Sequence, residues 1–274
     1  GEVPDVAYPD IYYIILDGYS RVDLYDEKYG FDNHDFINKL EGLGFILPQC
    51  TQSNYVWTAF SLSSSFQMDY LENFADLDWQ IRKGKIDYQY WGSFMRHNPV
   101  RDKLESLGYR IIATETGYPF SEWDDADIFI VKNKDPLSKI LDKNNLEAFE
   151  HVYLRTTAFR LLMEAQSAFL QPLLQKIPSG NEDHYLRVLF VLQELEKIPT
   201  RISGRKFIFA HIVAPHEPFV FSADGNFIAH TDNTAEGYIE QTKYINTRVL
   251  DLLKKIISLC LDPPIIILQS ESMT

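Results

Sequence analysis

The sequence is poor in cysteine, in net positive charge and in long apolar runs. Cys50 and Cys260 are the only cysteines in 274 residues. They lie far apart and match no metal-binding spacing. Two buried free thiols are the favoured reading, a single disulfide is the other, and neither fixes the compartment. Lysine and arginine number 26 against 39 acidic residues, a net charge of -13. Nucleic acid is thereby disfavoured as a partner, since phosphate backbones require basic patches. No apolar run approaches the roughly 20 residues that a membrane helix needs. No signal peptide, internal repeat or low-complexity tract is read within these residues. Gly1 is not an initiator methionine and a core strand follows almost at once, so a processed product or fragment is expected.

What is present suits a globular α/β protein. Apolar residues make up 45% of the chain, ample for a core, and the length allows one large domain or two small ones. The run Ile11-Tyr12-Tyr13-Ile14-Ile15-Leu16 has no polar alternation and ends in Asp17-Gly18. Such a run reads as a strand buried on both faces of a parallel sheet. Asp17 then stands at the carboxyl edge, where open α/β sheets bind ligands. Alone, an Asp-Gly pair is more simply a turn.

Further elements follow from period and punctuation. A polar loop is expected after Asp17, then a helix capped by Asn33 and carrying Phe36, Ile37 and Leu40. Phe45-Ile46-Leu47 is expected as a short strand closing a βαβ unit. Thr58 should open a helix running to about Met68. Residues 72–98 read as a surface excursion with a short helix near Trp91 to Arg96. Pro99 to Leu107 should be helical, with Pro in the first turn. Arg110 to Thr114 and Ile128 to Val131 are expected strands. Residues 136–197 form an expected helical insertion, which includes the i, i+3, i+4 spacing of Leu154, Ala158, Leu161 and Leu162 and a second helix from about Asp183 to Glu196. Lys206 to Val213 is a buried strand, 235–259 an amphipathic helix, and Ile265 to Gln269 a final buried strand.

Three stretches carry chemistry. The first is the strand ending in Asp17. The second, Gln52-Ser53-Asn54-Tyr55 followed by Thr58 and Ser61-Leu62, puts a hydroxyl at a helix N-terminus, where backbone N–H groups stabilise anions. In the third, His216-Glu217-Pro218-Phe219, prolines stiffen the exit of a strand and fix a histidine at the sheet edge. His211, inside the strand, reads as a core residue.

In this order the three stretches resemble the alkaline phosphatase/sulfatase superfamily, and within it the membrane-anchored sulfatase-like and phosphoglycerol-transferase-like branch. Gly237-Tyr238 with Gln241, Tyr244 and Asn246 matches the helix that precedes that branch's last metal-bearing strand. The resemblance implies a mostly parallel central sheet flanked by helices. It further implies Asp17 as a metal ligand, Thr58 as nucleophile and metal ligand, and His216 with Asn54 as substrate-binding residues. Where the superfamily has Asp-His-Gly, this chain has Glu271-Ser272 and then ends at Thr274. Glu271 is therefore the expected third ligand of a divalent cation, whether Mn, Mg, Ca or Zn.

The implied activity is hydrolysis or transfer of a sulfuryl or phosphoryl ester. The partner would be a sulfated or phosphorylated small molecule, glycan or lipid headgroup. The implied location is extracytoplasmic, with a membrane tether in the full-length protein. The departure at Glu271-Ser272 supports a second expectation, a non-catalytic or truncated sulfatase-like domain that binds or builds. A formylglycine context, Cys or Ser followed by x-Pro-x-Arg, does not occur, and a threonine nucleophile is more like the phosphoglycerol-transferase side.

Overall fold

The computed structural model describes residues 8–48, 51–77, 87–132, 180–228 and 234–271. Among these residues five strands form one parallel sheet in the order β3-β2-β4-β1-β5. They are β1 (Ile11–Asp17), β2 (Arg110–Thr114), β3 (Ile128–Ile130), β4 (Lys206–Ile212) and β5 (Ile265–Glu271). β1 lies between β4 and β5, so both of its edges are paired, as its unbroken apolar run requires.

Helices cover both faces. The helices are α1 (Val22–Tyr29), α2 (His34–Gly42), α3 (Thr58–Gln67), α4 (Leu71–Phe74), α5 (Tyr88–Arg96), α6 (Pro99–Ser106), α7 (Gly180–Leu195), α8 (Ile198–Arg201) and α9 (Ala235–Leu259). Strand alternation divides the core in two. Tyr12, Ile14 and Leu16, with Ile208, Ala210 and Ile212, face α1, α2, α7 and α9. Ile15, Phe207, Phe209, Ile111 and Ala113 face α3, α4 and α5, where Leu62, Phe66, Trp91 and Met95 are buried. Asp17 and His211 share the parity of Ile15 and Phe209 and so lie on the α3 face, at its carboxyl end.

The structure departs from the sequence reading in several places. Phe45-Ile46-Leu47 pairs with no strand among the described residues. Instead the Phe45 N–H closes α2 by donating to the Leu40 carbonyl at 3.1 Å, and Phe45 and Leu47 pack on the core while Ile46 stays exposed. The polar stretch after Asp17 is helical as α1, which buries one side chain, Tyr25, and so carries little apolar periodicity. β5 is an edge strand rather than a buried one, with Ile265 and Ile267 nearly half exposed. α3 ends as expected near Met68, its C-cap, which adopts the left-handed conformation with φ of 54°. Of the helical insertion expected over 136–197, the part up to residue 179 lies outside the described residues, and α7 accounts for its end. Cys50 and Ser272 also lie outside them, whereas Cys260 is free and partly buried.

Candidate functional site

The carboxyl edge of β1 and β4 gathers the three stretches. Asp17 ends β1 and is buried. Its register partner on β5 is Glu271, and the Gly18 N–H donates to the Glu271 carbonyl at 2.5 Å. The main chain then turns at Gly18, with φ of 75°. There it passes so close to the next loop that a Cβ on residue 18 would lie 2.7 Å from the His216 Cα. Only glycine meets both demands.

The His216 loop is fastened from three sides. Its N–H donates to the Asp17 carbonyl at 2.8 Å. Its carbonyl accepts from Gln241 Nε2 on α9 at 2.9 Å, while Gln241 Oε1 accepts from the Val220 N–H. The imidazole Nδ1 lies 2.7 Å from the Glu217 carbonyl, an acceptor, so Nδ1 carries the hydrogen and Nε2 faces outward. The ring of Tyr118 stands edge-on to the His216 ring, centroids 6.2 Å apart. On the α9 side, Tyr238 donates to the Gly18 carbonyl at 2.6 Å and ties the turn to the helix. Gln241 and Tyr238 thus act as a brace, while Asn246 joins Asn33 and Tyr19 in a second buried network.

Thr58 is the first residue of α3. Among the described residues no side chain caps this helix, and with the Phe60 N–H donating to the Trp57 carbonyl at 2.9 Å the N–H groups of Thr58 and Ala59 are the ones left for a ligand. The Thr58 hydroxyl donates to Asp17 Oδ1 at a long 3.3 Å. Among the described residues Asp17 Oδ2 is buried with no partner within hydrogen-bond distance. Opposite it, 3.6 Å away, is His211 Nε2, also buried and with no other partner among them. His211 Nδ1 is held 2.9 Å from Ser121 Oγ. Burial raises the Asp17 pKa, but the facing His211 ring, the charge of His216 and the Thr58 hydroxyl together outweigh it and leave the group lowered. Asp17 is therefore an anion across the neutral range.

Glu271 is oriented differently. Its Oε1 accepts from Ser61 Oγ at 2.9 Å and from Gln269 Nε2 at 2.5 Å. Burial, which Ser61 and Gln269 only partly offset, together with the charge of Asp17, pushes its pKa up to about 7. Asn54 is exposed in the loop entering α3, and among the described residues its side chain is hydrogen-bonded to none of Asp17, Thr58 and His216.

The donor chemistry fits a divalent cation at Asp17 and Thr58, because an orphaned carboxylate oxygen stands beside a hydroxyl. A carboxylate cage is not assembled. Among the described residues no group of three or more His, Cys, Asp or Glu side chains is gathered closely enough to hold a metal ion. Residues 18 and 216 also wall a cleft of about 260 Å³ with Tyr29, Phe219 and Tyr238, but Asp17 and Thr58 are not in its lining. The cleft adjoins the reactive edge from the α9 side rather than containing it.

The histidine that the sequence reading assigned to the core, His211, is indeed fully buried, yet its ring faces Asp17. Parity was the available signal. His211 pairs with Ile15, and Asp17 lies two residues further along the same face. Tyr118 and Ser121 carried no such mark, since they follow β2 in an irregular loop.

The raised pKa of Glu271 has a consequence for stability. The group binds its proton more tightly folded than unfolded. The metal-free protein should therefore lose stability as pH rises from about 4.5 to about 7 through this group. Asp17, with its lowered pKa, works in the opposite sense and is lost only at acid pH. Glu271→Gln should remove the first effect, leaving the metal-free variant more stable than the parent at pH 8 by about 2–3 kcal/mol and equal to it near pH 4. Urea unfolding across pH measures this, and parallel curves for parent and variant would refute it.

No protein-family model matches the chain, and no curated protein matches it. Among solved structures, similarity is found to the C-terminal periplasmic domain of EcEptC from Escherichia coli. The structure of that domain in complex with Zn aligns with a TM-score of 0.46 at 12% identity, and another structure of it with 0.44 at 11%. Each alignment covers 96% of this chain and 63% of the other, so the chain spans less than two thirds of that domain's length. No described helix is long and apolar enough to cross a membrane.

Proposed function

We propose that the chain is a sulfatase-like domain that transfers or hydrolyses a phosphoryl or sulfuryl ester through Thr58. One observation carries the reading: the Thr58 hydroxyl, at the open N-terminus of α3, is 3.3 Å from the buried Asp17 carboxylate. The roles follow from position. Thr58 Oγ attacks the phosphorus or sulfur, the bond to the leaving oxygen breaks, and an ester to Thr58 remains. A divalent cation held by Asp17 and Thr58 would lower the pKa of the hydroxyl. Charge growing on the transferring oxygens is met by the first N–H groups of α3 and by the His216 imidazole. Gly18 and Gln241 keep that ring in place, which spares reorganisation in the reaction.

Water or an alcohol then takes the group from Thr58. Water makes the protein a hydrolase, and an alcohol makes it a transferase. The threonine nucleophile favours phosphoryl esters of small molecules, glycans or lipid headgroups, acting in an extracytoplasmic setting, in keeping with the sequence resemblance. The alternative, a domain that binds an anionic ester without turnover, is favoured by the absence of a carboxylate cage among the described residues.

The test is an acid-quenched incubation of the Mn²⁺-supplemented protein with p-nitrophenyl phosphate, followed by peptide mass analysis. A phosphorylated peptide containing Thr58, formed in step with nitrophenol release, supports the transferase reading. Ester binding with no nitrophenol and no adduct supports the binding module instead.

A further inference from the structure

We infer that His211 is the nitrogen ligand of the cation held by Asp17 and Thr58, supplied from β4 rather than from the strand that ends in Glu271. The inference rests on the metal-dependent reading above and assigns a ligand that this reading lacks.

The starting observation is a pair of buried atoms. Asp17 Oδ2 and His211 Nε2 face each other at 3.6 Å, an ion-pair separation just beyond a hydrogen bond, and among the described residues neither atom has another partner within hydrogen-bond distance. Their side chains are 3% and 0% exposed, so solvent does not serve them. A direct hydrogen bond would draw nitrogen and oxygen to about 2.7–3.2 Å. The separation found is longer than that and leaves both atoms free to be held by one ion. An ion between them would satisfy both orphaned atoms.

The other side of the ring is arranged as a metal-bound histidine requires. His211 Nδ1 is 2.9 Å from Ser121 Oγ. In the Nδ1–H tautomer Ser121 accepts that N–H and passes its own hydrogen to the Tyr118 carbonyl at 3.3 Å or to Thr116 Oγ1 at 2.9 Å. With Nδ1 protonated, the Nε2 lone pair points at Asp17. A hydrogen-bonded second nitrogen of this kind fixes tautomer and ring orientation in metal sites. The rings of Tyr118 and Phe120 lie about 6 Å from the imidazole and limit its rotation. Glu271, by contrast, has Oε1 engaged by Ser61 and Gln269.

Mn²⁺ binding tests this without any assay of turnover. The full chain is titrated calorimetrically, and the bound ion is examined by pulsed electron paramagnetic resonance for modulation by an imidazole nitrogen. The parent should bind one Mn²⁺ with nitrogen modulation. His211→Gln should lose the modulation and at least about tenfold in affinity. Ser121→Ala, which leaves the ring present but unsupported, should keep the modulation and lose several-fold in affinity. It also serves if the His211 variant does not fold. Binding by the parent without nitrogen modulation would overturn the assignment while leaving the metal-dependent reading intact. So would modulation that survives in His211→Gln or vanishes in His216→Asn. No Mn²⁺ binding by the parent would overturn both.

Discussion

Replacing Thr58 by alanine is expected to lower the turnover of p-nitrophenyl phosphate by roughly three orders of magnitude or more, as loss of a nucleophile does in other covalent enzymes. The fold should hardly notice. The hydroxyl makes one hydrogen bond, at a long 3.3 Å, and Thr58 is only half-buried. Alanine is moreover a better helix former than threonine at the start of α3. The expected shift in melting temperature is about two degrees or less. Serine at the same position restores the attacking oxygen and should recover most of the rate. Asp17 would still hold its side chain in place, so a dead enzyme with an intact fold separates chemistry from architecture. A variant as fast as the parent would remove Thr58 from the reaction and move the search to Ser61 or beyond.

The second large effect lies one residue past Asp17. Gly18→Ala meets two penalties together. The left-handed backbone, with φ of 75°, costs an alanine about 1 kcal/mol. The added Cβ would also stand 2.7 Å from the His216 Cα and 2.8 Å from its nitrogen, both rigid backbone atoms. One of the two loops must therefore retreat, and the bond from the His216 N–H to the Asp17 carbonyl goes with it. A loss of about 3 kcal/mol or more in urea unfolding is expected. If the variant still folds, His216 should be displaced and phosphate affinity should fall. A loss below about 1 kcal/mol would mean that the two loops do not touch as described.

Local punctuation explains what could be read from the chain alone. Asp17-Gly18 at the end of an apolar run, Thr58 at the head of a helix, and His216 between two prolines each announce themselves within ten residues. The parallel α/β class follows from the same runs. His211 could not be read this way. Its meaning depends on which face of β4 it occupies and on β1 being its neighbour, a pairing between Ile15 and His211 that no local pattern states. β5 was read as buried because Ile265 to Leu268 is as apolar as a central strand. Composition does not tell a middle position from an edge, and only the strand order does. Phe45 to Leu47 has strand-like residues, but the Phe45 N–H was already committed to closing α2. The surroundings of Glu271 were hidden for a related reason. Its backbone position beside Asp17 was legible, whereas Ser61 and Gln269, which engage its Oε1, had no reason to be associated with it.

The strand order also sets a folding schedule. β1 is made early, yet Ile11 pairs with Phe207 on one side and with Ile265 on the other. Until both distant segments exist, the most apolar strand of the sheet has neither of its neighbours. The loop-closure entropy for both pairings must be met before either rewards the chain, which makes the topology intrinsically slow. Residues 11–16 would meanwhile be an exposed aromatic and β-branched segment, of the kind that associates with other chains or recruits a holdase. The reactive edge shares this fate. Asp17 acquires His211 only when β4 docks and Glu271 only when β5 does, so the site is complete only once both distant strands are in place.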